Sequence, residues 1–238
     1  RAYGLTFGSL PTGPHDAITD VPGVRVGQVT IWSGDPAAGE PIARTGVTAI
    51  VPDEPGSLFA RPMAAASAVL NGAGELTGSV EMREWGVLET PIVLTGTSAV
   101  GRAYDAVVDA MFAAVPGLCV ASPATRLDDM YRRWITVDHV RQAIDGATDG
   151  PVAEGVVGAG TGMITMGHKA GIGTASRVID GLGTVGVLLL CNFGGLEQLR
   201  IGGALVGETL HRDRLGATPT LDTGGSRLGV VCTDLPLD

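Results

Sequence analysis

From Val185 to Cys191 the chain reads Val-Gly-Val-Leu-Leu-Leu-Cys, with no polar side chain to offer solvent on either side. The run is far too short to cross a bilayer or to make a typical buried helix, so it predicts a strand covered on both faces. Such a strand needs a layer above it and another below, which the remaining sequence must supply.

Candidates for those layers alternate along the chain. A Pro22-Gly23 turn precedes Val24-Arg25-Val26-Gly27-Gln28-Val29-Thr30-Ile31, whose apolar and polar residues alternate as in a half-buried strand. Gly46 to Val51 is a second β-branched run that stops at Pro52, and Ile92 to Thr95 is a short third. Pro62 to Leu70 reads as a helix, with proline near its first turn and Gly72 at its exit. From Thr97 to Val115, Ala99, Ala103, Ala106, Val107, Ala110, Met111 and Ala114 recur at helical spacing, a small-residue face suited to close packing on a sheet. Thr136 to Ile144 is a capped helix, and Arg227 to Thr233 a last strand with Ser226 at its start. The pattern predicts an α/β fold.

At 238 residues and 45% hydrophobic content, a single domain over 1–238 with one sizeable core is expected. A net charge of −9, without a basic stripe, repels a phosphate backbone and excludes nucleic acid as a partner. Cys119, Cys191 and Cys232 lie in apolar stretches without metal-ligand spacing, so they read as small buried hydrophobes in a reducing compartment. With no charged-then-apolar leader and no membrane-spanning run, a cytoplasmic protein with no membrane partner is expected.

The glycine-rich segment 154–174 invites a phosphate-loop reading, which its spacing rejects. Gly158, Gly160 and Gly162 fail G-x-G-x-x-G, and His168 intrudes between Gly167 and Lys169 where a P-loop would continue. Two readings remain. The three glycines bring bare amides around a reacting carbonyl and bind substrate, or they allow tight sheet packing.

Gly224-Gly225-Ser226 also has two readings. It is a turn feeding the last strand, or it is a site of self-cleavage. Cutting the Gly225–Ser226 bond would leave Ser226 with a free α-amine beside its hydroxyl, a nucleophile carrying its own base. Glycine before the serine tolerates the contorted backbone that such an attack needs. Other chemistry-bearing residues point nowhere together: His15, His139, His168 and His211 are scattered, and Asp105 and Asp109 sit at helical spacing on a solvated face.

Taken in order, these segments resemble the DmpA and β-aminopeptidase family of self-processing hydrolases along nearly the whole chain. The resemblance is carried by Thr12-Gly13-Pro14 with Ile18 to Gly27, by Asn71 to Gly78, by Gly158 to Met163, and by Lys169 to Ser176. Asn192-Phe193-Gly194 and Ser226 through Leu237 complete it. It implies a four-layer αββα sandwich, similar in layering to N-terminal nucleophile hydrolases, and no metal or cofactor. It also implies self-cleavage at Gly225–Ser226 into an α-subunit portion, 1–225, and a β-subunit portion that begins at 226–238. The processed units would form homo-oligomers. Ser226 would be the catalytic nucleophile and Asn192 a donor to the tetrahedral oxyanion, with a small-molecule amide as substrate.

Two departures qualify what the resemblance implies. The family places a second serine and a glutamate well downstream of the nucleophile, and the sequence stops at Asp238 before reaching them. Aminopeptidase members also carry Glu-Thr-Tyr-Asp ahead of a Leu-Asn-Asp stretch, the Glu holding the substrate ammonium. Here Ala121-Ser122-Pro123-Ala124-Thr125 precedes Leu127-Asp128-Asp129. An ammonium buried without a carboxylate is costly. The expected substrate is therefore an amide without a free α-amine, as in the branch of the family that cleaves a pantetheine amide in carbapenem synthesis. An aminopeptidase acting on short peptides, with Glu89 or Asp128 as the amine partner, is the alternative, and a catalytically silent binding protein of the same fold a second.

Overall fold

The computed structural model describes residues 7–70, 75–114, 123–124, 134–210 and 225–236. The alternating stretch after Gly23 forms strand β1, Arg25–Ser33, which pairs antiparallel with β2, Ala43–Val51. A short third strand, β3 at Ile92–Leu94, joins the other edge of β2, so the first sheet has the order β1-β2-β3. The second sheet has the order β4-β5-β6: Ile172–Ile179, Gly183–Phe193 and Gly225–Thr233, all antiparallel.

Alternation decides which way each strand faces. On β2, Val47, Ala49 and Val51 point to the helices, while Ile50 points to the second sheet. The helical layer consists of α3, Val100–Ala114, and α4, Val137–Asp145; two shorter helices, α1 at Pro55–Ala60 and α2 at Ser79–Trp85, precede them. Ala103, Ala106, Val107 and Met111 of α3 are fully buried against the sheet, as their spacing predicts, whereas Ala114 is exposed. Thr136 caps α4 by accepting the His139 N–H at 3.4 Å. Between the sheets lies a second core of Ile18, Val24, Ile50, Leu94, Leu188 and Leu190.

An interior seam joins the glycine segment to β4. A Cβ on Gly171 would lie 2.4 Å from the Gly160 Cα, so two backbones meet where no side chain fits. The N-terminal loop is stitched to β4 by polar contacts. The Asp20 carboxylate accepts the Ser176 hydroxyl at 2.6 Å and the His15 and Ala17 N–H groups, each at 2.9 Å. Ser176 Oγ in turn accepts the Gly13 N–H at 3.0 Å.

Three sequence expectations are corrected. Pro62 to Leu70 is not a helix: Met63–Ala64 pairs with Val87–Leu88, and the Ala65 N–H donates to the Gly86 carbonyl. Pairing with a distant segment of the same chain overrides the alanine-rich propensity here. Among the described residues strand β5 is fully buried on one face only, since Leu188 and Leu190 are buried while Leu189, aimed outward beside Val231, is 43% exposed. Cys191 of β5, opposite Arg227 in the outer row, and Cys232 of β6, opposite Gly186 in the inner row, are half-buried; Cys119 lies outside the described residues.

Candidate active site

Pairing between β5 and β6 places the two residues singled out for catalysis directly across from one another. In the antiparallel register Asn192 stands opposite Ser226, Leu190 opposite Leu228, Leu188 opposite Val230 and Gly186 opposite Cys232. This is the row facing the other sheet, and its apolar members belong to the core between the sheets. Ser226 is thus the polar end of an otherwise apolar row, half-exposed at the rim.

The residue before it must be glycine. Gly225 has φ +126°, and a Cβ there would sit 2.3 Å from the Asn192 carbonyl oxygen and 2.6 Å from the Phe193 Cα. Any side chain would push β6 away from β5 at the point where Ser226 meets Asn192.

A hairpin absent from the sequence reading fixes the asparagine. Ile164–Thr165 pairs with His168–Lys169 around Met166 and Gly167, both at positive φ, the turn geometry that closes two-residue hairpins. The hairpin rides on the end of β5. The Ile164 N–H donates to Asn192 Oδ1 at 3.2 Å, the Thr165 hydroxyl to the Cys191 carbonyl at 2.7 Å, and the Met166 N–H to the Phe193 carbonyl at 2.9 Å. With its oxygen engaged, the Asn192 amide has its two N–H donors turned the other way. Gly167 between two short polar-bearing pairs, Ile164-Thr165 and His168-Lys169, was the signal for this turn.

Of the three glycines considered for substrate binding, two have their amides engaged inside the sandwich. The Gly158 N–H donates to Thr30 Oγ1 at 2.8 Å and the Gly160 N–H to the Val157 carbonyl at 2.9 Å, both residues being buried. Gly162, at φ +82°, turns the chain two residues before Ile164 and so lies on the path to Asn192.

Strand β6 also borders a cavity of about 830 Å³, lined by Arg227 to Asp234, by Met63 to Ala68, and by Glu81 and Glu89. Burial pushes the Glu89 carboxyl above its ordinary range, and the neighbouring Glu81 carboxylate pushes it further the same way. On the outer face of the same strands, the Arg227 guanidinium lies 3.9 Å over the Phe193 ring. The remaining candidates are dispersed. His139 serves the α4 cap, His168 is exposed on the hairpin, and Asp109 pairs with Arg141 at 3.5 Å. His211, Asp128, Asp129 and the side chains of Ala121 to Thr125 lie outside the described residues. No helix among the described residues is long and apolar enough to cross a membrane.

Known proteins resemble the chain in sequence and in fold. The family model for peptidase family S58 matches residues 16–238. A β-peptidyl aminopeptidase BapA from Sphingosinicella xenopeptidilytica is 41% identical across the whole chain, which spans 64% of that relative's length. Among solved structures, a Burkholderia sp. β-aminopeptidase superposes with a TM-score of 0.86 at 39% identity, over 99% of this chain and 66% of that one. The L-aminopeptidase D-Ala-esterase/amidase of Ochrobactrum anthropi, a prototype for the serine aminopeptidases with a variant Ntn hydrolase fold, superposes at 0.82 and 36% identity. It is covered over 67% of its length by 98% of this chain. Matched by the family model over 16–238 and by relatives along its whole length, the chain belongs to peptidase family S58.

Proposed function

We propose that the protein is a self-processing aminopeptidase that hydrolyses the amide bond of short peptides bearing a free N-terminal amine, with Ser226 as nucleophile. The observation that carries this reading is the register that sets Ser226 across from Asn192. In processing, Ser226 Oγ bonds to the Gly225 carbonyl carbon, the C–N bond breaks, and the hydroxyl proton ends on the departing amine. Water then splits the ester to a Gly225 carboxylate and a free Ser226 hydroxyl. In turnover, the freed α-amine takes the hydroxyl proton as Ser226 attacks the substrate amide, the C–N bond breaks as that proton passes to the departing amine, and water then splits the acyl-ester to the free acid and the Ser226 hydroxyl. The Asn192 N–H donors, held by the Ile164 contact, steady the oxyanion as it forms.

The names of the relatives support a peptide substrate, and neither the BapA relative nor the two solved structures supports the pantetheine-type amide expected from the sequence. The loss of the family glutamate weighed against a free amine. Glu81 and Glu89 answer that objection chemically: they border the cavity beside β6, and a cationic amine between them would relieve the repulsion that raises Glu89.

The test uses the full-length gene product. Intact mass should show two fragments divided between Gly225 and Ser226, one uncut chain for Ser226→Ala, and turnover of free-amine peptides in preference to their N-acetyl forms. A wild-type chain that stays whole and ignores serine-directed acylating probes would overturn the assignment.

A further inference from the structure

Resting on the reading of Ser226 as a self-cleaving residue, we propose that Phe193 and Arg227 form a brace across the Gly225–Ser226 peptide and act as positioning residues for its cleavage. Four observations converge on this place. Gly225 stands directly opposite Phe193, and Ser226 opposite Asn192. Phe193 and Arg227 therefore share the outer face, on either side of the bond to be cut. A Cβ on Gly225 would lie 2.7 Å from the Phe193 Cβ, and the Phe193 ring meets the Arg227 guanidinium at 3.9 Å. Gly225 itself holds φ +126° with no room for a Cβ.

A strand begins at this glycine, and strand ends fray unless something holds them. The inner side of β5 has its holder, the Ile164–Lys169 hairpin bonded to Asn192, Cys191 and Phe193. Strand β6 has no hairpin of that kind bonded to its start among the described residues, and near that start the Arg227 side chain reaches back to β5. The guanidinium over the ring couples the first residues of β6 to the last residue of β5, which keeps the Ser226 hydroxyl within reach of the carbonyl one bond behind it. The stack involves neither Ser226 nor Asn192, so it outlasts the cleavage and goes on holding the new N-terminus opposite the oxyanion donor. Cation–π contacts of this geometry supply roughly a threefold to thirtyfold bias in an equilibrium or rate.

The experiment times Gly225–Ser226 cleavage by intact mass in freshly made full-length protein, for wild type, Phe193→Leu, Phe193→Tyr, Arg227→Met, Arg227→Lys and the Leu/Met double variant. Thermal melting reports the fold of each. The brace predicts cleavage slowed about threefold to thirtyfold in Phe193→Leu and in Arg227→Met, with the double variant no slower than either alone. It also predicts a rate restored by Phe193→Tyr, partial recovery in Arg227→Lys, and hydroxylamine failing to speed the slow variants, since the block precedes the ester. Wild-type rates in the single variants, or losses that multiply in the double, overturn the brace while leaving Ser226 as nucleophile. A wild-type chain that never cleaves removes the reading of Ser226 and the brace with it. Should Phe193→Leu fail to fold, the exposed Arg227 position decides the matter alone.

Discussion

Asn192 and Ser226 are cross-strand partners whose polar side chains end a row that is otherwise apolar, and the asparagine's oxygen is occupied by the Ile164 N–H at 3.2 Å. In processed protein, Asn192→Ala is expected to lower kcat about 100-fold or more, the usual effect of removing one oxyanion donor. Asn192→Asp should fall at least as far, because a carboxylate repels the developing charge. Steady-state kinetics, with Ser226 labelling by an acylating probe as the control for an intact nucleophile, check both.

Glu89 offers a test of substrate class. Replacing it by Gln is expected to raise KM for free-amine peptides roughly tenfold or more and to leave N-acetylated substrates unaffected. The pH dependence has a definite sign. A carboxyl pushed up by burial and by Glu81 takes its proton before an ordinary glutamate does as the medium is acidified. KM for free-amine substrates should therefore begin to rise at a pH above the usual glutamate value, and Glu81→Gln should move that rise to lower pH.

The seam between the glycine segment and β4 separates two glycines that differ by two positions. Gly171→Ala would set a Cβ 2.4 Å from the Gly160 Cα and should cost about 1–3 kcal/mol, the range for overpacking. Gly173 has nothing within 4 Å of the same added atom, so Gly173→Ala should be neutral or stabilising by about 0.5–1 kcal/mol. Urea unfolding midpoints of the two variants give the comparison.

Acid sensitivity should trace to the loop held on β4. Burial alone would raise the Asp20 carboxyl, but hydrogen bonds from Ser176, Ala17 and His15 outweigh it and hold the group below its ordinary 3.8. A depressed carboxylate contributes stability that is present above the unfolded value and lost as pH falls through the folded one. Ser176→Ala should cost about 1–3 kcal/mol at neutral pH, and the gap from wild type should narrow below pH 3.8, as seen in unfolding curves across that window.

Burial pushes the Cys232 thiol up to about 11, so almost none of it is thiolate at neutral pH. Native protein treated with iodoacetamide near neutrality should leave Cys232 unmodified by peptide mapping, and brief urea exposure should make it react.

How much of this could be read beforehand depended on range along the chain. Strand β1 and helices α3 and α4 were legible because periodicity and the Thr136 cap are local signals that the tertiary structure follows. The segment from Pro62 to Leu70 was not, because its conformation comes from Val87 and Leu88, more than twenty residues away. The order Gly225-Ser226 and the residue Asn192 stood out by chemistry, while their meeting depended on a register that only the paired strands define. Phe193 and Arg227 were invisible for the same reason: thirty-four positions separate them, and only antiparallel pairing carries one over the other. Glu81 joined Glu89 through the fold of α2 against the following strand, which no short spacing announces.

The alternation along β6 has a consequence for which length changes this strand can survive. Shifting it by one residue, through a single insertion or deletion near Gly225, would turn the nucleophile to the outer side and drive the Arg227 charge between the two sheets. Only changes in even numbers preserve facing, and even those carry Ser226 past Asn192. Natural length variation in this protein should therefore collect in the loops and be missing from the nine residues Gly225–Thr233.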